Sequence, residues 1–291
     1  MYIKSLNSLD PAVEKEIREV YSYCKKHDSL KAKLLLDGAV NFNLEINYLF
    51  LLYEEDRLIS FLYMFMPTAQ GAEISAYTLP EYRRKGCFKR LLSEAAEQLK
   101  RYDVKNMLLV CESQCLSGQE CIKRLGGSYD FTEYFMRFDI SANVFDKSYE
   151  YKTKLYMPGI SDIEKLCHVS MLAFDETREE AESFIINCFN SKNRKAYATF
   201  REDKMIGIGN GYLGDEEAII YGLGVLPEFQ GRGFGKELLL LIMKDLLQNG
   251  YKNISLEVDS NNLRAFELYK RNGFGVEVAF DYYKKGVPLD R

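Results

Sequence analysis

Val225-Leu226-Pro227-Glu228-Phe229-Gln230-Gly231-Arg232-Gly233-Phe234-Gly235-Lys236 is the stretch on which the reading of this chain turns. A strand pattern, Ala218 to Val225, ends where it starts, and a strongly apolar helical pattern, Gly235 to Asn249, begins where it ends. Three glycines at alternate positions let the backbone turn tightly and keep Cβ atoms out of the way of an approaching anion. The free amides and the dipole of the following helix favour negative charge, so a phosphate or pyrophosphate is the natural occupant. A plain tight turn would use the same glycines, so the loop by itself leaves both readings open. Spacing disfavours two other phosphate binders. A Walker loop needs Gly at 230 and Ser or Thr at 237, where the chain has Gln230 and Glu237. A dinucleotide fingerprint starting at Gly231 and Gly233 needs Gly at 236, where Lys236 stands, so ATP and NAD are disfavoured.

Working outward from the loop, Lys152 to Met157 reads as a strand, and Ser161-Asp162 caps a helix running to about Phe174. A further helix spans Glu179 to Phe189. Ala196 to Phe200 and Met205 to Tyr212 are strands joined at Glu202-Asp203-Lys204. After the loop, Gly250 stops the helix, Ile254 to Val258 is a β-branched strand, Asn262 to Arg271 a helix ended by Asn272-Gly273, and Val276 to Tyr283 a last strand. Helices, an antiparallel meander, then strand, helix, strand, helix, strand make a mixed α/β fold with one parallel crossover.

The same pattern occurs earlier in the chain. A shift of 147 positions lays Pro80-Glu81-Tyr82 on Pro227-Glu228-Phe229, Gly86 on Gly233, Lys89 on Lys236 and Leu91-Leu92 on Leu238-Leu239. In the same ungapped register Glu55-Asp56 falls on Glu202-Asp203, Lys105-Asn106 on Lys252-Asn253, Ser113 on Ser260, Lys123-Arg124 on Lys270-Arg271 and Gly126 on Gly273. The chain is a duplication. The polar stretch from Asp139 to Lys154 follows the strand Tyr134 to Phe138 and holds the expected joint, near Tyr149. The expected domains are therefore residues 1–140 and 150–291.

Gln230, Gly233 and Gly235 together resemble the signature of the GNAT acetyltransferase superfamily: Gln or Arg, two residues, Gly, one residue, then Gly or Ala. Leu256-Glu257-Val258, Asn262, Ala265, Leu268-Tyr269 and Gly273-Phe274 continue the likeness, which covers Tyr221 to Phe274 and extends to the ribosomal-protein N-acetyltransferases of that family. The resemblance implies an α/β fold of two GNAT-like domains, each a mixed, mostly antiparallel sheet flanked by helices. It implies acetyl-CoA as acyl donor, with the pyrophosphate on the backbone of Gly231, Arg232, Gly233, Phe234, Gly235 and Lys236. Leu223, Gly224 and Val225 would lend backbone groups to the pantetheine arm, and an amide there would polarise the thioester. Asn262 would cap its helix and touch the same arm.

Acetyl transfer from a thioester to an amine needs a neutral amine, a polarised carbonyl and a proton for the leaving thiolate. Tyr269 matches the family's general-acid position, and a phenol with an ordinary pKa of about 10 keeps its proton at neutral pH. It could equally be a packing tyrosine, one of 21 in the chain. Glu257, twelve residues earlier, matches the base of some relatives, against the alternatives of another carboxylate, a water chain or a plain outward strand residue. An acetyl-cysteine route is disfavoured, since no Cys and His fall together in these motifs. The first copy keeps Arg83 and Gly86 but has Phe88 for Gly235, Cys115 for Asn262 and Ile122 for Tyr269, and is expected to be catalytically silent. Tandem members with one degenerate half, such as the mycothiol synthases, have a similar layout.

Composition narrows the classes. Lys and Arg number 39 against 43 Asp and Glu, a net charge of −4 with no dense basic tract, so no nucleic-acid partner is expected. No run resembles a secretory h-region or a membrane span, and seven scattered cysteines without a Cys-x-x-Cys pair suit reduced thiols, so a cytoplasmic location without membrane partners is expected. Cys111, Cys115 and Cys121 cluster without a neighbouring histidine, so no metal is expected. The expected acceptor is a small-molecule or peptide amine, with peptide N-termini, polyamines, aminoglycosides and amino acids all left open. Two other readings stay open: a coenzyme A-binding regulator or sensor without turnover, and a duplication serving only dimerisation.

Overall fold

Both copies open their meander on the same turn. Glu55, between β2 (Leu49–Glu54) and β3 (Arg57–Phe65), and Glu202, between β8 (Arg194–Arg201) and β9 (Lys204–Leu213), take left-handed φ values of 52° and 54°. The register of each hairpin is thereby fixed, and with it the face each side chain meets.

The computed structural model describes residues 1–146 and 148–288. The first of its two units holds β1 (Tyr2–Leu6), β2, β3, β4 (Ala72–Thr78) and β5 (Asn106–Glu112), antiparallel until the parallel step from β4 to β5. Three helices accompany it: α1 (Pro11–Asp28), α2 (Cys87–Arg101) and α3 (Leu116–Arg124). Asp10 caps α1 by accepting from Ala12 N and Val13 N at 2.9 Å, with Pro11 at the first position. Ile17, Phe61, Leu62, Leu91 and Leu99 fill the core at 0% exposure.

The second unit repeats this plan with β7 (Lys154–Tyr156), β8, β9, β10 (Glu217–Val225) and β11 (Asn253–Asp259), again antiparallel until the parallel pairing of β10 with β11. The helices are α4 (Ile163–Phe174), α5 (Arg178–Asn190), α6 (Phe234–Gln248) and α7 (Leu263–Arg271). Leu238, Leu239, Ile242 and Met243 of α6 are fully buried, each stabilising the fold by roughly 1.5–3 kcal/mol. Gly250, with φ 92°, ends this helix as its position after the apolar run foretells. One sheet face carries α6 with Ile220, Leu256 and Val258. Another cluster joins Leu166, Val169 and Ile185 of α4 and α5 to Ala198 and Ile208.

Grouped by contacts, the two compact units differ from the expected 1–140 and 150–291. One is Met1–Glu133 together with the chain from Val278, and the other is Tyr134–Glu277. The cause is an exchange of last strands. β6 (Ser128–Phe138) lies next to β11 in the sheet order of the second unit from Tyr134 on. In β12 (Phe274–Gly286), Phe280 to Gly286 pair antiparallel with Glu112 to Asn106 of β5 in the first. In contacts, each copy's final strand completes the other copy's unit.

Candidate active site

The glycines of β10 shape the site before any reactive group does. Between Tyr221 and Gly224 the pairing of β10 with β9 slips by one residue, a β-bulge with Gly222 at φ 57°. The parallel ladder to β11 runs from Glu217 with Asn253 to Ile220 with Leu256 and goes no further. Beyond it, Leu223, Gly224 and Val225 present an edge that has no ladder partner on β11, which suits an extended arm adding to the sheet. Gly224 is required for packing as well. A Cβ there would lie 2.7 Å from Phe174 Cζ and 2.9 Å from Ala173 Cβ, so the end of α4 sits directly on the bulge. Two glycines inside an apolar strand pattern, Gly222 and Gly224, are the sequence signal for this distortion.

The loop follows. Gly231 and Gly233 adopt φ of 73° and 90°, and a Cβ on Gly233 would meet nothing within 4 Å. The backbone therefore faces open space at the start of α6, a fitting cradle for a pyrophosphate. Gln230 donates from Nε2 to Val225 O at 3.0 Å, closing the loop on the strand it leaves. Phe234 is buried at 3% and packs edge-on against Phe229, so only its backbone faces the loop. Arg232 and Lys236 are exposed, with Lys236 Nζ 5.6 Å from the centre of the Tyr149 ring. Glu237 holds α6 in place: buried at 1%, it accepts from Tyr149 Oη, Lys152 N and Thr153 Oγ1 at 2.9–3.1 Å. Asn262 caps α7, accepting from Ala265 N at 3.1 Å.

Tyr269 and Glu257 lie on opposite faces of β11. Tyr269 is 8% exposed in the cluster with Leu256, Val258 and Phe274, and burial pushes its phenol up to about 12. Glu257 is exposed. By strand alternation it shares the face of Ser255, whose hydroxyl donates to Glu217 Oε1 at 3.1 Å. On that face Glu217 also pairs with Arg137 at 2.7 Å, and Arg137 with Glu277 at 2.6 Å. Tyr221 joins them, its ring 6.1 Å from that of Phe184 and 4.8 Å from the Arg194 guanidinium. Acid and base candidates can thus address one substrate only where β10 and β11 part.

The first unit keeps the loop, and β4 too leaves β5 early, its ladder running only from Ala72 with Met107 to Ile74 with Leu109, but the space beyond is filled. Arg84 and Gly86 have φ of 62° and 81°, matching Gly231 and Gly233, and Arg83 Nε donates to Thr78 O at 3.0 Å as Gln230 does to Val225. Yet the pairing of β3 with β4 runs from Ser60–Thr78 to Phe65–Glu73 with no bulge. Tyr77, the counterpart of Gly224, packs between Phe61 and Tyr21 at ring distances of 5.2 and 5.0 Å. Glu112, buried at 3%, accepts from the backbone of Lys31 and Ala32 at 2.8 and 3.0 Å, drawing that segment across the end of β5. The remaining fork of Arg83 is bound by Asp28 at 2.8 and 2.6 Å. Ile122 is buried at 5% in the place of Tyr269, and Phe88 packs against the first core. Among the described residues no group of three or more His, Cys, Asp or Glu is arranged for a metal, and no helix is long and apolar enough to cross a membrane.

The profile of the acetyltransferase (GNAT) family matches residues 11–126 and again 158–274. The spore coat polysaccharide biosynthesis protein SpsD of Bacillus subtilis is 22% identical over 212 residues, covering 68% of this chain and 72% of its own. The ribosomal protein bS18-alanine N-acetyltransferase of Haemophilus influenzae is 38% identical over 71 residues, 24% of this chain and about half (48%) of that one. Among solved structures, a tandem GNAT protein from the clavulanic acid biosynthesis pathway superposes with a TM-score of 0.75 over the whole of both chains at 12% identity, a likeness of fold.

Proposed function

The chain belongs to the GNAT acetyltransferase family and is an N-acetyltransferase, and we propose that its second copy moves an acetyl group from acetyl-CoA directly to a primary amine in a ternary complex. The observation that carries the proposal is the parting of β10 from β11 beside a left-handed glycine loop, with a buried phenol on one face and an exposed carboxylate on the other. In this reading the loop amides from Gly231 to Lys236 hold the pyrophosphate. The pantetheine arm lies along Leu223 to Val225, bringing the thioester through the opening toward the Glu257 face.

There Glu257 takes the proton of the incoming ammonium, and the freed nitrogen attacks the thioester carbon. A backbone amide of the β10 edge stabilises the developing oxyanion. As the C–S bond breaks, Tyr269 donates to the leaving sulfur. With its pKa at about 12 the phenol is protonated at rest; its proton leaves with the sulfur as a thiol, and the phenolate so formed is reprotonated through solvent as the acetylated nitrogen sheds its second proton. The acceptor is a small-molecule or peptide amine, for which the excess of carboxylates on the Glu257 face favours the cationic form. The working setting is the cytoplasm, with no nucleic acid or membrane partner. Incubating the protein with acetyl-CoA and a panel of amines tests this. Amine-dependent release of free thiol is expected, and binding of acetyl-CoA without release across the panel would leave a coenzyme A sensor instead.

A further inference from the structure

Beside the glycine loop lies a cleft of about 700 Å³ whose wall is α7, lined by Gly231, Gly233, Lys236, Arg264, Glu267 and Arg271 among others. Three cations face one anion in it. Arg264 reaches the loop itself, its Nη2 lying 3.9 Å from the position a Cβ on Gly231 would occupy. Arg271, seven residues on, returns to the same helix face about 10 Å further along. Its guanidinium is held by Glu267 at 3.6 Å, and with side-chain exposures of 79% and 48% this pair is weak enough for a phosphate to displace. Lys236 rises from the first turn of α6 on the other side.

The duplication supplies a contrast. Lys236, Glu267 and Arg271 have counterparts in Lys89, Glu120 and Arg124, the last two paired at 3.3 Å, whereas Arg264 is replaced by Ser117. The copy with the open passage is the one with the extra guanidinium over the loop. Loop amides neutralise only part of a pyrophosphate, and the adenosine end of coenzyme A adds a 3′-phosphate with about two further charges. We propose that Arg264 and Arg271 seat this end of the donor, Arg264 on the pyrophosphate and Arg271 on the ribose 3′-phosphate, so that the protein selects coenzyme A thioesters against those lacking the 3′-phosphate. The assignment rests on the acetyl-CoA reading above and adds the residues that discriminate among donors.

Calorimetry with coenzyme A and dephospho-coenzyme A tests it on the full chain. Wild type binds coenzyme A about tenfold tighter, as one charge-assisted contact warrants. Arg271→Ala, a change at an exposed position, removes that preference by weakening coenzyme A about tenfold while leaving dephospho-coenzyme A unchanged. Arg264→Ser, which installs the first copy's residue, weakens both ligands alike. Equal affinity of wild type for the two ligands, or a preference that survives Arg271→Ala, overturns the proposal. Coenzyme A binding undiminished by Gly233→Asp would instead remove the loop reading on which it rests.

Discussion

Replacing Gly233 by alanine and by aspartate separates the loop's shape from its charge. Both side chains force an L-residue into a left-handed φ of 90°, at about 1–2 kcal/mol, and neither meets a neighbour, because nothing lies within 4 Å of the added Cβ. Both variants should melt below wild type, by roughly 2–8 °C for units of this size, aspartate the less because Gly233 is the N-cap of α6, where a carboxylate can accept from free helix amides. They should differ in ligand binding. A carboxylate about 4 Å from a pyrophosphate is repelled by about 4 kcal/mol per charge pair at an effective dielectric of 20 and about 1 kcal/mol in water. A half-exposed site falls between, so aspartate should bind coenzyme A about 2–3 kcal/mol more weakly than alanine, a factor of about 30–150. Calorimetry at low and high salt reads this, and salt should narrow the gap. Equal affinities for the two variants in the folded state would refute the phosphate assignment, since backbone strain alone acts on both.

Three further outcomes are expected. Tyr269→Phe keeps the ring and its contact with Phe274 but loses the proton, so turnover should fall about 10² to 10⁴ with donor affinity unchanged; full turnover would return the ring to a packing role. Because a general acid must be protonated and burial raises this phenol to about 12, its deprotonation should cause no decline in rate below about pH 10, and a basic limb at the ordinary phenol value that vanishes in Tyr269→Phe would contradict its burial. Glu257→Gln should remove or shift the acidic limb of the rate profile, while an unmoved limb would point to water or another carboxylate. One coenzyme A should bind per chain, and the double variant Gly233→Asp with Tyr269→Phe should retain almost no transfer; a second equivalent bound, or a sizeable residual rate with the first unit folded, would show that the first copy works.

The order of elements was legible because each boundary has a local cause. Gly250 stops α6, Asn262 starts α7, and the acidic turns at Glu55 and Glu202 close equivalent hairpins. The loop was legible because its glycines stand at left-handed positions that other residues enter only under strain. The bulge at Gly222 was missed, since alternation gives the faces of β10 but not a one-residue slip in its pairing. The exchange of β6 and β12 was missed for a deeper reason. Both copies carry an apolar last strand, and either neighbour satisfies its hydrogen bonds, so pattern alone cannot say which sheet it completes. Arg264 escaped notice because an exposed arginine on a polar helix face reads as solvated until the loop is seen opposite it.

The two copies show which features of the site are separable. Loop backbone survives in both, down to the left-handed residues at 84 and 86 and the side chain that ties the loop to its strand, so a phosphate cradle can persist as mere architecture. Tyr269 and Ile122 occupy equivalent buried places at 8% and 5% exposure, so the fold does not need the hydroxyl there. The passage is the feature that differs in kind. Gly222 and Gly224 let β10 slip by one residue against β9 under the end of α4. In the first copy Ser75 and Tyr77 stand at those positions, the strand stays in register, and Tyr77 joins Tyr21 and the segment clamped by Glu112 to close the gap. Restoring a proton donor at Ile122 alone is therefore not expected to revive the first copy; the ring of Tyr77, packed between Phe61 and Tyr21, would have to be removed as well.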